Sequence, residues 1–198
     1  FSKLELKAEK LPITVLVNNA GVSHEMPTAF VDETPLNIAS IIQVNCTSTV
    51  LVTRAILPGI LNRGQGGLVL NMGSESAELK TPMLQTYAGS KAFLRTWSEC
   101  LAQEVAGSSV HVELLNTHYV ATNMSKIRRS SFTIPSPRDY VAAVLNRCGS
   151  SYFSVPHPGH ALAVAAIHLV PEWILQPIVL KQMMAIRKHA LLKASKKK

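Results

Sequence analysis

Residues 13–17, Ile-Thr-Val-Leu-Val, form a short apolar, β-branched run that ends in Asn18-Asn19-Ala20-Gly21. A run of this kind bounded by turn residues predicts a strand buried on both faces, hence parallel, followed by a tight loop. From about Pro35 to Arg63 the apolar residues return at helical spacing, with Ile38, Ile41, Ile42 and Val44 in the first half, and Pro58-Gly59 is expected to disturb the end. Gly64-Gln65-Gly66-Gly67 predicts a turn, and Leu68 to Asn71 a second buried strand that runs into Gly73-Ser74. Phe93, Leu94, Trp97, Leu101 and Val105 recur at helical spacing, so a long helix is predicted from about Gln85 to Ala106 with Gly107 as its C-cap. Val110 to Leu115 reads as a third strand, whose imperfect alternation predicts shallower burial than the other two.

Beyond Asn116 the pattern loosens. Thr122 to Ser136 is polar and basic and suits a mobile loop over a site, and a helix is expected from Pro137 to about Asn146. Residues 160–180 are strongly apolar but interrupted by Pro171, Glu172 and Pro177. As a single membrane-spanning helix this is marginal; an interfacial helix pair or re-entrant segment fits at least as well, and a last core helix is the soluble alternative. Alternating strands and helices predict an α/β, doubly wound parallel sheet. The expected division is 1–159 for that domain and 160–198 for an apolar, membrane-associated segment with a basic tail.

Charge refines this picture at one place only. The net charge is +8, but residues 181–198 hold seven Lys or Arg and no acid, which leaves residues 1–180 at +1. The body carries no nucleic-acid footprint. The tail suits either an anionic membrane surface or a solvated helix end. Cys46, Cys100 and Cys148 lack paired or metal-like spacing, which predicts reduced thiols facing the cytosol. His24, His157, His160 and His168 show no ligand geometry, so no metal site is expected.

The candidate chemistry centres on Tyr87-Ala-Gly-Ser-Lys91, which places a phenol and an ammonium one helical turn apart on one face. A cation beside a phenol favours the phenolate, so Lys91 is expected to lower the Tyr87 pKa toward neutrality. Such a phenol can exchange a proton with a carbonyl or alcohol oxygen. The pair alone is weak, arising by chance roughly one time in four. Position strengthens it. Asn18 to Gly21 follows the first strand, Ser74 the second and His118 to Thr122 the third, and ligands of open parallel sheets bind outside the carboxyl ends of the strands.

NNAG after a strand, a Ser thirteen residues before a Tyr, and YxxxK together resemble the short-chain dehydrogenase/reductase family, whose fold is a Rossmann-like sheet. The resemblance implies that Tyr87 is the acid that protonates a substrate carbonyl as hydride arrives, that Lys91 tunes Tyr87 and contacts the nicotinamide ribose, and that Ser74 polarises the carbonyl. It further implies that Asn45 holds a water linking Lys91 to solvent. Asn18, Ala20 and Gly21 would pack against the adenosine half of the cofactor, and Val120 and Thr122 would anchor the carboxamide. Thr117-His118 departs from the family's usual Pro-Gly turn.

LPITVLVNNAGVSH, NMGSESAELKTPMLQTYAGSKAFL and VATNMSKIRRSSFTIPSP narrow the likeness to the microsomal very-long-chain 3-oxoacyl-CoA reductases, in their fungal form. That branch implies NADPH, an acyl-CoA substrate, membrane association, other fatty acid elongation enzymes as neighbours, and the endoplasmic reticulum membrane with the catalytic domain facing the cytosol. The ending KASKKK resembles a dilysine retrieval signal. A hydroxysteroid dehydrogenase of the 17-beta type shares the same catalytic groups and is the nearest enzyme alternative. The family's Gly-rich TGxxxGxG loop is not found upstream of Leu11. The expectation is therefore an N-terminally truncated fragment that lacks the first strands and the phosphate loop, leaves ITVLV as an unpaired edge, and by itself binds NADPH poorly. A non-catalytic remnant of the family is the other alternative. An in-frame TGxxxGxG upstream of Phe1 would separate the two.

Overall fold

The computed structural model describes residues 2–8 and 10–196. Helix α1 (Ser2–Ala8) precedes strand β1 (Val15–Asn18). After a long loop, α2 (Pro35–Ile42) passes through a π-helical turn at Gln43–Thr47 into α3 (Ser48–Arg63). Thr34 caps the start through its side chain, with Pro35 in the first turn, where a missing N–H costs nothing. Pro58 lies inside α3 without ending it, contrary to the expected disturbance. The helix stops six residues later at Gly64, whose left-handed φ of 62° suits glycine. Strand β2 (Gly67–Met72) begins at a glycine for a steric reason: a Cβ on Gly67 would stand 2.1 Å from Ile60 Cγ2.

The short helix α4 (Ser76–Leu79), the long α5 (Gln85–Glu104) and strand β3 (Val110–Leu115) follow. The end of α5 falls at Val105 rather than at Gly107. Then come α6 (Pro137–Leu145), a two-residue strand β4 (Phe153–Ser154) that the hydrophobic pattern is too short to reveal, α7 (Pro158–His168) and α8 (Glu172–Ser195). The four strands are parallel in the order β1-β2-β3-β4. Val69, Val110 and Val112 pack with Ile56, Leu57, Ile60 and Ala102 from α3 and α5, while Leu70 and Leu115 pack with Tyr140 and Val144 of α6 on the other face. Helices on both faces make this a doubly wound, Rossmann-like α/β sheet, as the sequence predicts.

Two burial expectations are corrected. Strand β3 is the most deeply buried, because β2 and β4 flank it and helices cover it. Strand β1 lies at the edge, with Leu16 in the core but Val15 and Val17 53% and 52% exposed on the other face. No strand among the described residues pairs with its outer edge. The loop from Thr122 to Ser136 is knitted rather than loose. Ala121 N–H donates to Pro135 O, Ser131 pairs with Ile134, and α7 packs so closely that a Cβ on Gly159 would lie 1.9 Å from Phe132 O.

The apolar stretch at 160–180 forms neither one span nor one core helix. Pro171 breaks it, and α7 and α8 meet at a bend of 119°. His160, Val179 and Met183 are buried against the body, whereas Leu169 and Trp173 at the bend are 84% and 77% exposed. The last two lysines of KASKKK lie outside the described residues.

Candidate active site

Parallel register sets the site. Asn18 pairs with Asn71 and Asn71 with Leu114, so the three strands end level and their loops leave from one edge. The loop after β1 carries Ala20 and Gly21, the loop after β2 carries Ser74, and the segment after β3 carries Val120 and Thr122. Helix α5 brings Tyr87 and Lys91 beneath that edge.

Lys91 is buried, and its Nζ donates to Met72 O at 2.7 Å, 5.8 Å from the Tyr87 ring centroid. Burial pushes its ammonium down to about 8, and a negative charge on Cys46 would oppose that. The Cys46 thiol is itself pushed up by burial. The expectation for Tyr87 is reversed. Burial raises the phenol, the Ser74 hydroxyl draws it down by hydrogen bonding, and a negative charge on Tyr119 would raise it further. Lys91 sits over the ring rather than on the hydroxyl and is bonded elsewhere, so it does not offset the burial. Tyr87 is therefore a protonated phenol at neutral pH, suited to donating its proton.

Asn45 occupies the π-helical turn and is fully buried. Its Oδ1 accepts from Val22 N–H at 2.8 Å, and its Nδ2 donates to Val22 O and to Ser90 Oγ, each at 2.9 Å. The side chain thus clamps the loop after Gly21 onto α5. π-Turns concentrate at functional positions because they displace one side chain from the helical register. Asn18 is likewise engaged: its Nδ2 donates to Thr53 Oγ1 at 2.9 Å and to Asn71 Oδ1 at 2.7 Å, and Asn71 donates onward to Ser98. Asn71, a polar residue within an apolar strand, was the visible signal for this network.

Glu75 was not signalled by the sequence pattern. Buried beside Ser74, it accepts from Asn116 Nδ2 at 2.7 Å and lies 3.1 Å from His168 Nε2, while its N–H donates to Thr117 O at 3.0 Å. It ties the loops after β2 and β3 to the end of α7. Val120 packs against the Leu70, Leu115 and Tyr140 cluster, and Thr122 is bound to Ser125.

The residues present fit the ribose end of a nicotinamide nucleotide. Lys91 has three N–H groups and one hydrogen-bond acceptor among the described residues, and it lies so close to Gly21 that a Cβ there would stand 3.7 Å from Nζ. Donors facing a glycine backbone suit a polyhydroxylated ring. No group of three or more potential metal-ligating side chains occurs among the described residues.

The fold is a doubly wound sheet with Ser74 in the loop after β2 and with Tyr87 and Lys91 on the helix α5 that follows. The short chain dehydrogenase family model matches residues 5–131, and the chain belongs to that family. It is 44% identical to a very-long-chain 3-oxoacyl-CoA reductase of Mycosarcoma maydis, over 99% of this chain and 58% of the relative. It is 38% identical to the protein of the same name from Aspergillus oryzae, over all of this chain and 60% of that one. The chain thus spans less than two thirds of the length of these relatives. Among solved structures, a short chain dehydrogenase from Burkholderia cenocepacia in complex with NADP superposes with a TM-score of 0.74 at 23% identity, over 90% of this chain and 76% of that one. A 7beta-hydroxysteroid dehydrogenase gives 0.75 at 17% identity, over 90% and 70%. At these identities the two structures speak for the fold alone.

Proposed function

We propose that the protein carrying this chain reduces the 3-keto group of long- or very-long-chain 3-oxoacyl-CoA to the 3-hydroxy product, with NADPH, in fatty acid elongation. The observation that carries this reading is a buried Lys91 and a protonated Tyr87 beside Ser74, in a chain 44% identical to a reductase of that name. When bound, the nicotinamide supplies the hydride. Ser74 donates a hydrogen bond to the ketone oxygen and polarises it. Tyr87 then gives its phenolic proton to that oxygen as negative charge develops there. Lys91, its Nζ fixed by Met72 O, holds the ribose. Asn45 fixes the Gly21–Val22 backbone against which the nucleotide lies, and Ala20, Val120 and Thr122 line its approach.

The exposed Leu169 and Trp173 at the α7–α8 bend, followed by the basic residues from Lys181 onward, support residence at the endoplasmic reticulum membrane with the site toward the cytosol. Other elongation enzymes would be its neighbours there. The steroid reading has a likeness of fold behind it and no more.

The test is an NADPH oxidation assay on the protein carrying this chain, with 3-oxooctadecanoyl-CoA, a 17-ketosteroid and NADH as comparators. Oxidation that depends on the acyl-CoA and prefers NADPH is the expected result. Turnover of the steroid alone, or none with either substrate, overturns the reading.

A further inference from the structure

Residues 117–122 leave the central strand β3 and run over the cleft, and the family's Pro-Gly turn is replaced there by Thr117-His118. His118 is not among the residues with positive φ, which besides glycines are Lys80, Met83 and Lys126. The segment therefore follows a path that an ordinary L-residue adopts, and its backbone polar groups need partners along that path. Helix α7 supplies them. The ring of His160, fully buried, donates from Nε2 to Tyr119 O at 2.9 Å and accepts at Nδ1 from His118 N–H at 3.4 Å. One imidazole thus meets two consecutive residues of the segment with opposite polarity. Only the neutral Nε2–H tautomer can do both, because the imidazolium has two donors and the other tautomer reverses them.

The surroundings hold that ring in place. His118, His157 and Tyr140 lie at ring-centroid distances of 5.9, 5.2 and 5.4 Å. Tyr140 in turn shares a 2.6 Å hydrogen bond with Thr117 Oγ1. Further along, Ser125 Oγ donates to Val120 O at 2.6 Å. The carbonyl and amide groups at the turn are thus satisfied by a residue forty positions away, on a helix outside the sheet. Burial and the two neighbouring histidines lower the basicity of His160 to about 4, in keeping with a neutral ring, while its bond to Tyr119 O acts in the opposite sense.

We propose that His160 is a positioning residue: bonded through both ring nitrogens to the backbone of His118 and Tyr119, it holds the 117–122 segment, and with it Tyr119, Val120 and Thr122, in the place from which they face the nicotinamide end of the cleft. The inference rests on the reading of that segment as the nicotinamide contact. It adds to it a residue from the C-terminal helix α7, which none of the catalytic motifs includes. Tyr119 gains a definite backbone place by the same bonds, through its carbonyl.

The test uses the full chain and reads position before activity. In the wild type, long-range proton–nitrogen NMR at pH 7 should show His160 as the neutral Nε2–H tautomer. His160→Phe keeps a planar ring and removes both bonds. Amide exchange at 118–122 should then accelerate ~10-fold, as expected for two lost hydrogen bonds, with exchange in β2 and β3 unchanged. His160→Gln, which keeps a donor and an acceptor, should restore most of the protection. An Nδ1–H tautomer, unchanged exchange at 118–122 in His160→Phe, or acceleration spread equally over the sheet would each overturn the proposal. NADPH binding, followed by nucleotide fluorescence, separates the two readings. Local loosening in His160→Phe with weaker NADPH binding by the protein carrying this chain supports both, whereas local loosening with NADPH binding unchanged from wild type supports the role of His160 in the fold and overturns the nicotinamide reading of the segment.

Discussion

Two polar clusters lie within a few residues of each other at the carboxyl edge of the sheet, and they are built on opposite terms. In the first, Asn18, Asn71, Thr53 and Ser98 exchange side-chain hydrogen bonds of 2.7–2.9 Å. Both amides are hydrogen-bonded within the cluster. In the second, Tyr87 is raised by burial, Lys91 is lowered by it to about 8, and the ammonium has a single acceptor among the described residues. A satisfied network rigidifies; a half-satisfied one is costly to bury and chemically active. Scaffold and chemistry thus divide between neighbouring residues. Stability and turnover should therefore respond to different substitutions.

The largest effect is expected at Tyr87→Phe in the protein carrying this chain. Removing the proton donor should lower ketone reduction by at least ~10²–10⁴-fold, with a melting temperature close to wild type and nucleotide binding largely retained. Wild-type turnover in that variant would dissolve the distinction between the clusters. Next is Asn71→Ala, which leaves Asn18 Nδ2 with Thr53 alone and takes from the buried Ser98 Oγ its donor, and should cost roughly 1–3 kcal/mol in a urea titration. Activity per folded molecule should be unchanged.

Lys91→Met should act in the opposite direction on the two readouts. The folded pKa of about 8 lies below the ordinary lysine value, so the unfolded chain binds the extra proton between those two pH values. Stability contributed at this site is therefore lowest below pH 8 and rises as pH climbs from 8 toward 10.5. The methionine variant should be inactive, yet about 1–3 kcal/mol more stable than wild type at pH 7. That gain should shrink by pH 10. A gain that is constant with pH would mean that Lys91 is not held against its charge. The smallest effect is expected at Lys80→Ala, which removes the exposed pair with Glu172. Both side chains are more than half exposed, so the loss should stay below about 1 kcal/mol by thermal melting and leave turnover intact.

Much of the layout was legible from the chain alone. The strand at 110–115 has its predicted ends, and the helix from Gln85 ends within two residues of its predicted limit, because continuous apolar runs and helical spacing are local properties. The strand at 153–154 leaves no mark in the hydrophobic pattern because two residues cannot establish a period. Apolar length was a poorer guide. Pro35–Arg63 is long and apolar enough to cross a membrane, yet it lies with much of its surface packed in the core; the equally apolar 158–195 region bends by 119° and presents Leu169 and Trp173 outward. Composition is the same in kind for both, and only the neighbours tell them apart.

The sequence by itself determined the order of strands and helices, the convergence of three loops on one edge, and the spacing of Ser74, Tyr87 and Lys91. These depend on chain connectivity and on residue types read in place. Tertiary structure decided what each of those groups is free to do. It placed Lys91 on Met72 O rather than on the phenol, turned the Tyr87 shift upward, gave the side chain of Asn45 to Val22 and Ser90, and set His160 beneath a loop forty residues away. Desolvation and hydrogen-bond pairing depend on which distant atoms surround a group in space. A spacing along the chain does not contain that information.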